Sequence, residues 1–301
     1  MKRTLVALAT AVAALAVPVA PAAAITKSYQ PDPDHTFVGL IGFYDSGWNW
    51  QHRCTGELIA PTVVLTAGHC VDNGSGGVNA HARIWFEQNA GAKFDGIEDP
   101  VTGYPNECKD TTMCAESDHV YNYGFDNFVG LPDTHDVGIA ILDKPMINLG
   151  FGHLAKAGAL DSLPTAKGTQ DKDFRVSGYG ISYAQMKGIY PDKSKYIVTV
   201  SYRVRLQAIE QLVNTVAPYN AGYNIQLNGN GDGRGGTCSG DSGGPVFHPQ
   251  DTNQIVAVTS FGKSVDCRGD GYYYRLDRQE VIDWILSKAG DDATYIAAHV
   301  V

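Results

Sequence analysis

Short runs of β-branched and aromatic residues, cut by clusters of Gly, Asn and Asp, make up most of the chain. Thr36 to Tyr44, Gly56 to Thr66 and Ala82 to Phe86 read as strands, bounded by turn residues. Val137 to Leu142, Phe174 to Tyr179, Tyr196 to Leu206, Gln254 to Phe261 and Gly271 to Leu276 follow the same pattern. Asp72-Asn73-Gly74-Ser75-Gly76-Gly77 is a typical separator. A helical period occurs once, near the C-terminus. There Val281, Ile282, Trp284 and Ile285 form an apolar face after Asp277 as N-cap and before Gly290. The pattern predicts an all-β protein closed by a C-terminal helix, without internal repeats.

One apolar run fits neither period. Leu5 to Ala20 is rich in Ala and Val, follows the basic start Met1-Lys2-Arg3, and precedes Ala22-Ala23-Ala24. Basic residues, an apolar core and small residues in that order predict a signal peptide over 1–24, cleaved after Ala24. A transmembrane anchor fits less well, because the run is short and holds Pro18 and Pro21. The expected mature chain starts at Ile25, is secreted, and is not held in a membrane.

Composition then narrows the choices. Charged residues are 18% and apolar ones 44%, enough to offset ordering entropy by burial and to argue against disorder. The net charge of −9 disfavours a nucleic-acid partner, and loss of Lys2 and Arg3 makes the mature chain more acidic still. In an exported protein the 6 cysteines are disulfide candidates. Spacing suggests three local pairs, Cys54-Cys70, Cys108-Cys114 and Cys238-Cys267, although other pairings remain open. No CxxC occurs and the histidines are scattered, so no zinc site is expected. Asn228 to Gly233 resembles the start of a calcium loop, but Ser239 stands where the closing acid belongs. It reads instead as a flexible loop, and the sequon at Asn73 as a plain turn.

The chemistry concentrates in three segments. Gly240-Asp241-Ser242-Gly243-Gly244-Pro245 sets a serine among small residues, on a turn that can expose its Oγ. The N–H groups of Gly240 and Ser242 can then form an oxyanion hole. A hydroxyl needs a base within reach, and Thr66-Ala67-Gly68-His69-Cys70 offers an imidazole at the end of a β-rich run. The base needs an orienting acid, and Asp136 opens the apolar strand Val137 to Leu142, whereas its rivals Asp133 and Asp143 do not. Each piece alone has a plain structural reading. A Gly-rich turn is usually a turn, a lone histidine is usually surface or core, and Asp before a strand is commonly a cap.

The order His, Asp, Ser, with the segments TAGHC, DVGIAIL and GDSGGP, resembles the chymotrypsin/trypsin-type serine proteases over about Thr36 to Leu286. The resemblance implies two six-stranded antiparallel Greek-key β-barrels, expected over 25–150 and 151–301, and a C-terminal helix. It also implies a triad of His69, Asp136 and Ser242, an oxyanion hole at Gly240 and Ser242, and no cofactor. Cys54-Cys70 then corresponds to the disulfide of the histidine loop and Cys238-Cys267 to the one beside the specificity pocket. Ser177-Gly178-Tyr179-Gly180 resembles the turn that opens the second barrel. Ser260, Phe261 and Gly262 correspond to the strand that pairs with substrate, with Phe in place of Trp. Gly271 to Arg275 corresponds to the strand behind the pocket. The protein would act on proteins or peptides, as a monomer.

Two departures matter. The segment between His69 and Asp136 is long and carries Cys108 and Cys114, and the usual Ile-Val-Gly-Gly start is absent. Removal of the signal peptide would free the Ile25 amine to pair with Asp241; the alternative is that Ile25 begins a loose tail. Gly236 stands where basic-specific relatives carry an acid, so together with Gly262 and Gly271 it predicts an open, uncharged pocket for apolar side chains. Asp266 or Asp270 reaching the pocket would favour basic ones instead. A non-catalytic binding or adhesive module on the same barrels is the rival from another class, while a lipase or esterase would place Ser before Asp and His.

Overall fold

The structure is a computed structural model that describes residues 25–301 except 95–96, 164, 167–171, 188–195, 201–202, 250 and 265–266. The proposed signal segment and Asp266 lie outside the described residues.

Two antiparallel barrels account for most of the chain. The first is built from β1 (Val38–Tyr44), β2 (Trp50–Leu58), β3 (Val63–Thr66), β4 (His81–Trp85), β5 (Cys114–Ser117), β6 (His119–Asn122) and β7 (Gly138–Ile141). Their order is β5-β4-β1-β2-β3-β7-β6. Seven strands appear where six were expected, because a bend at Asp118 divides one extended stretch into β5 and β6. The predicted strand Gly56 to Thr66 is likewise cut, by the turn at Ala60 to Thr62. Pro61 has no N–H for a ladder, which makes it suited to that corner.

The second barrel contains β8 (Asp173–Gly178), a hairpin of β9 (Tyr183–Lys187) and β10 (Tyr196–Val200), then β11 (Leu206–Asn214), β12 (Asn224–Asn228), β13 (Pro245–His248), β14 (Asp251–Gly262) and β15 (Asp270–Arg275). The hairpin pairs with itself. The six others run β14-β13-β8-β11-β12-β15, and a further β14–β15 pairing closes the ring. The predicted strand Tyr196 to Leu206 therefore belongs to two structures, ending one hairpin and opening β11. Residues 26–27 pair with Gly235–Gly236, and Gln30–Pro31 pair with β11, so the start of the described chain is built into the second barrel.

Apolar side chains fill both barrels, with Leu40, Ile41, Val64 and Ile139 wholly buried in one and Phe174, Val176, Ile225 and Val246 in the other. Between them lies a polar clamp. The Arg205 guanidinium is buried and donates to the carbonyls of Asp32 (2.9 Å), Val38 (3.0 Å) and Phe86 (2.9 Å). A buried cation is tolerable only with its donors satisfied, and here they are spent on tying the barrels together. The terminal helix α2 runs Gln279–Lys288 and buries Val281, Ile282 and Ile285. Its N-cap is Arg278 and not the expected Asp277, whose carboxylate is occupied by Arg275 and by the Leu160 N–H.

Candidate functional site

His69 lies in α1 (Gly68–Val71), a single helical turn following β3. The Cys54–Cys70 disulfide ties that turn to β2. Asp136, fully buried just before β7, accepts from the His69 N–H at 2.7 Å and meets the ring Nδ1 at 2.9 Å through Oδ2. Ser260 Oγ on β14 donates to the same Oδ2. Burial alone would push the His69 imidazole down, but the adjacent Asp136 carboxylate outweighs it and holds the ring above its ordinary 6.5. The rival Asp133 instead accepts from the Tyr274 hydroxyl at 2.7 Å, and Asp136 is the carboxylate at the His69 ring.

The Ser242 turn belongs to the other barrel but is held against the histidine turn. Thr55 N–H donates to the Ser242 carbonyl at 2.9 Å, and Thr55 Oγ1 donates to the Gly240 carbonyl at 2.8 Å. The same hydroxyl accepts from Tyr179 N–H at 3.0 Å. Gly243 has φ +78°, and a Cβ there would sit 2.1 Å from Thr66 Oγ1 and 2.7 Å from Ala67 N. Only glycine permits that approach, which brings the residue after Ser242 against the residue two before His69. Among the described residues, neither the Gly240 nor the Ser242 N–H donates within the protein, whereas those of Asp241 and Gly243 do. The serine's own amide and that of Gly240 are thus left free, as an oxyanion hole requires.

Asp241 is buried between glycines. A Cβ on Gly178 or Gly180 would fall 2.3 or 2.4 Å from its carboxylate oxygens. It accepts from the N–H groups of Gly180 (2.7 Å) and Cys238 (2.8 Å), yet burial still pushes its carboxyl up to about 7. Ile25 is wholly buried in the second barrel's apolar cluster, and so is no loose tail.

Beside Ser242 opens a cavity of about 330 Å³, lined by Gly236, Thr237, Cys238, Ser260, Phe261, Gly262 and Gly271, among others. It therefore gathers every residue singled out for substrate binding. The Cys238–Cys267 bridge closes one wall. Phe261 stacks on Tyr272 at 4.6 Å and meets Phe128 at 5.3 Å, while Phe128 lies 6.4 Å from the His69 ring. Sequence reasoning misses this aromatic wall, since Phe128 stands in the long insertion with no motif around it. It also misses the carboxylate of Glu210, which joins Asp270, the acid the sequence offered as an alternative, in the cavity lining. The expectation of an uncharged pocket rested on Gly236, and the acid here comes from other strands.

The remaining sequence candidates are also placed. Cys108–Cys114 is the third disulfide, within the insertion. Asn228 and Asn230 in the glycine-rich loop are engaged by Asp270 and Lys27. Asn73 Oδ1 caps its own turn through the N–H groups of Ser75 and Gly77. Cys54, His69 and Cys70 cluster closely, but both sulfurs are committed to a disulfide and offer no thiolate to a metal.

Comparison with known proteins places the fold in a family. The chain is 26% identical over 267 residues to CLIP domain-containing serine protease HP8 of Bombyx mori, covering 85% of this chain and 66% of that protein. It is 26% identical over 260 residues to brachyurin of Leptuca pugilator, covering 80% and 94%. A solved structure of HL collagenase superposes with a TM-score of 0.57 at 17% identity, over 85% of this chain and 94% of that one, and shows the shared fold. The family model described as Trypsin matches residues 29–285, and the chain is thus a member of the trypsin family of serine proteases.

Proposed function

We propose that the protein is a secreted, monomeric serine endopeptidase, matured at Ile25, in which His69, Asp136 and Ser242 form the catalytic triad. The observation that carries this reading is the His69 ring, held by a buried Asp136 and set beside a Ser242 turn with two free amides. In the proposed cycle Ser242 Oγ attacks the scissile carbonyl while His69 Nε2 takes its proton. Asp136 keeps the other ring nitrogen protonated and stabilises the imidazolium. The carbonyl oxygen, now negative, is received by the N–H groups of Gly240 and Ser242. His69 then delivers the proton to the departing amine, leaving an acyl-enzyme that water hydrolyses by the same route in reverse.

Casein digestion and labelling by a fluorophosphonate test the assignment together. The expected result is cleavage and stoichiometric labelling at Ser242, both abolished in Ser242→Ala with its fold intact by circular dichroism. Undiminished cleavage by Ser242→Ala would remove that residue from the chemistry. A folded wild-type protein that neither cleaves nor labels would favour a binding module instead.

A further inference from the structure

In the cavity lining, Glu210 on β11 stands beside Gly236: a Cβ on Gly236 would lie in ordinary contact, 3.8 Å, from Glu210 Oε1. That oxygen accepts from the Tyr273 hydroxyl at 2.6 Å and from the Thr237 N–H at 3.1 Å. The Tyr273 hydroxyl also meets Thr237 Oγ1 at 2.9 Å. Gly271 allows this arrangement, since a Cβ there would lie 2.5 Å from the tyrosine oxygen. The other carboxylate oxygen, Oε2, is buried and has no hydrogen-bond partner. Asp270 also lines the cavity but is already occupied, with its oxygens taken by the side chains of Gln226 and Asn228. A carboxylate oxygen left unmatched in a buried site is costly, and an entering cation is the group that best matches it.

We propose that Glu210 is the specificity-determining residue of this cavity, selecting Lys or Arg next to the scissile bond when ionised and a neutral side chain when protonated. This rests on the serine-protease reading and adds the substrate class. Burial pushes the Glu210 carboxyl up, the Tyr273 and Thr237 donors pull it down, and the Asp241 and Asp270 carboxylates push it up again. The balance falls at about 7. Lys263 and Arg268 also line the cavity, and the Lys263 ammonium sits over the Tyr219 ring at 3.7 Å. A protonated Glu210 offers an apolar side chain a neutral floor, whereas an ionised one makes that side chain leave a charge unpaired.

The test is the ratio of kcat/KM for two peptides that differ only in Lys or Phe before the scissile bond, between pH 5.5 and 9. His69 ionisation enters both rates and cancels in the ratio. The Lys/Phe ratio is expected to rise with pH through about 7 and to fall by about 100-fold at pH 8.5 in Glu210→Gln. Tyr273→Phe removes a donor to the carboxylate and should move the midpoint upward. A ratio that is flat with pH and unchanged in Glu210→Gln overturns the proposal while leaving the protease reading standing. If neither peptide is cleaved, the protease reading fails first. Calorimetric binding of benzamidine, a flat aryl cation, to wild type and Ser242→Ala then decides the role of Glu210. Binding that strengthens as pH rises through about 7 supports it, and pH-independent or absent binding overturns it. Should Glu210→Gln fail to fold, the Tyr273→Phe midpoint and the benzamidine titration decide the question in its place.

Discussion

Asp136 shows how much one buried carboxylate can organise. Three donors converge on it, from the His69 backbone, the His69 ring and Ser260. Replacing it by Asn keeps the volume but removes the charge and allows the wrong tautomer, so kcat/KM should fall by about 10⁴-fold at neutral pH. The acid limb of the wild-type profile should lie above the ordinary 6.5 of histidine, because the raised imidazole must lose its proton before it can act as base. In Asp136→Asn that limb should move to lower pH, and a limb that stays put would show that another group controls it. Glu57 on β2 makes the opposite case. Both its oxygens are buried without partners, and burial pushes its carboxyl well above the ordinary carboxylate range. Below the unfolded value of about 4.3 both states are protonated and the group costs little. Above it the unfolded chain ionises and the native one does not, so stability falls as pH rises towards the folded value. Thermal melts of Glu57→Leu should show a higher Tm than wild type at pH 8 and a much smaller difference at pH 4. An equal difference at both would tie the effect to packing alone. The proposed triad was legible in the sequence because each member sits inside a short local motif. Glu57 and Glu210 were not, since a strand pattern marks which residues alternate but says nothing of what a given side chain meets across a barrel.

Between elements, the decisive contacts are those that cross from one barrel to the other. Thr55 on β2 carries three of them, to Ser242, Gly240 and Tyr179. Thr55→Val preserves the β-branched shape and the backbone bond but strips the Gly240 carbonyl and the Tyr179 N–H of their partner. Stability should fall by about 1–3 kcal/mol in chemical denaturation. With Gly240 no longer anchored, kcat should drop more than KM rises, because the amides are used most in the transition state. An unchanged kcat would show that the turn is held by its other contacts, Gly243 above all. Two thirds of the barrel strands were readable as β-branched runs between turn residues, while Cys114–Ser117, His119–Asn122, Tyr183–Lys187, Asn224–Asn228 and Pro245–His248 were not predicted. Boundaries also failed: Trp50 to Arg53 is too polar to read as the start of β2, and Tyr196 to Leu206 gave one run for two strands. The Asp277 cap failed for a physical reason, because a carboxylate bonded to Arg275 cannot also serve the helix.

At the scale of the molecule, the start of the described chain is packed where activity is decided. Thr26 pairs with Gly236, and its hydroxyl donates to the carbonyls of Gly236 and Cys267, both at 3.2 Å. Ile25, just before it, is sealed in the second barrel. The same barrel buries Asp241, a carboxyl raised to about 7 beside the serine, which accepts from two N–H groups and is drawn down only partly by the Arg53 guanidinium. A full positive charge would suit it better than those dipoles, since an ion pair offsets desolvation more effectively than neutral donors. Signal-peptide removal at Ile25 would create such a charge, an ammonium on the first residue of the segment that braces the pocket. A protein starting at Ile25 should therefore be active, and one retaining Ala24 or carrying an N-acetyl group should lose about 100-fold or more in kcat/KM. Asp241→Asn should cause a comparable loss, and combining it with the blocked terminus should add little, because both remove one interaction. Intact mass fixes the terminus of each sample and peptide hydrolysis reads the rate. Full activity with Ile25 blocked would mean that Asp241 is held by its two amides and the Arg53 guanidinium, and that the oxyanion turn forms without a free terminus.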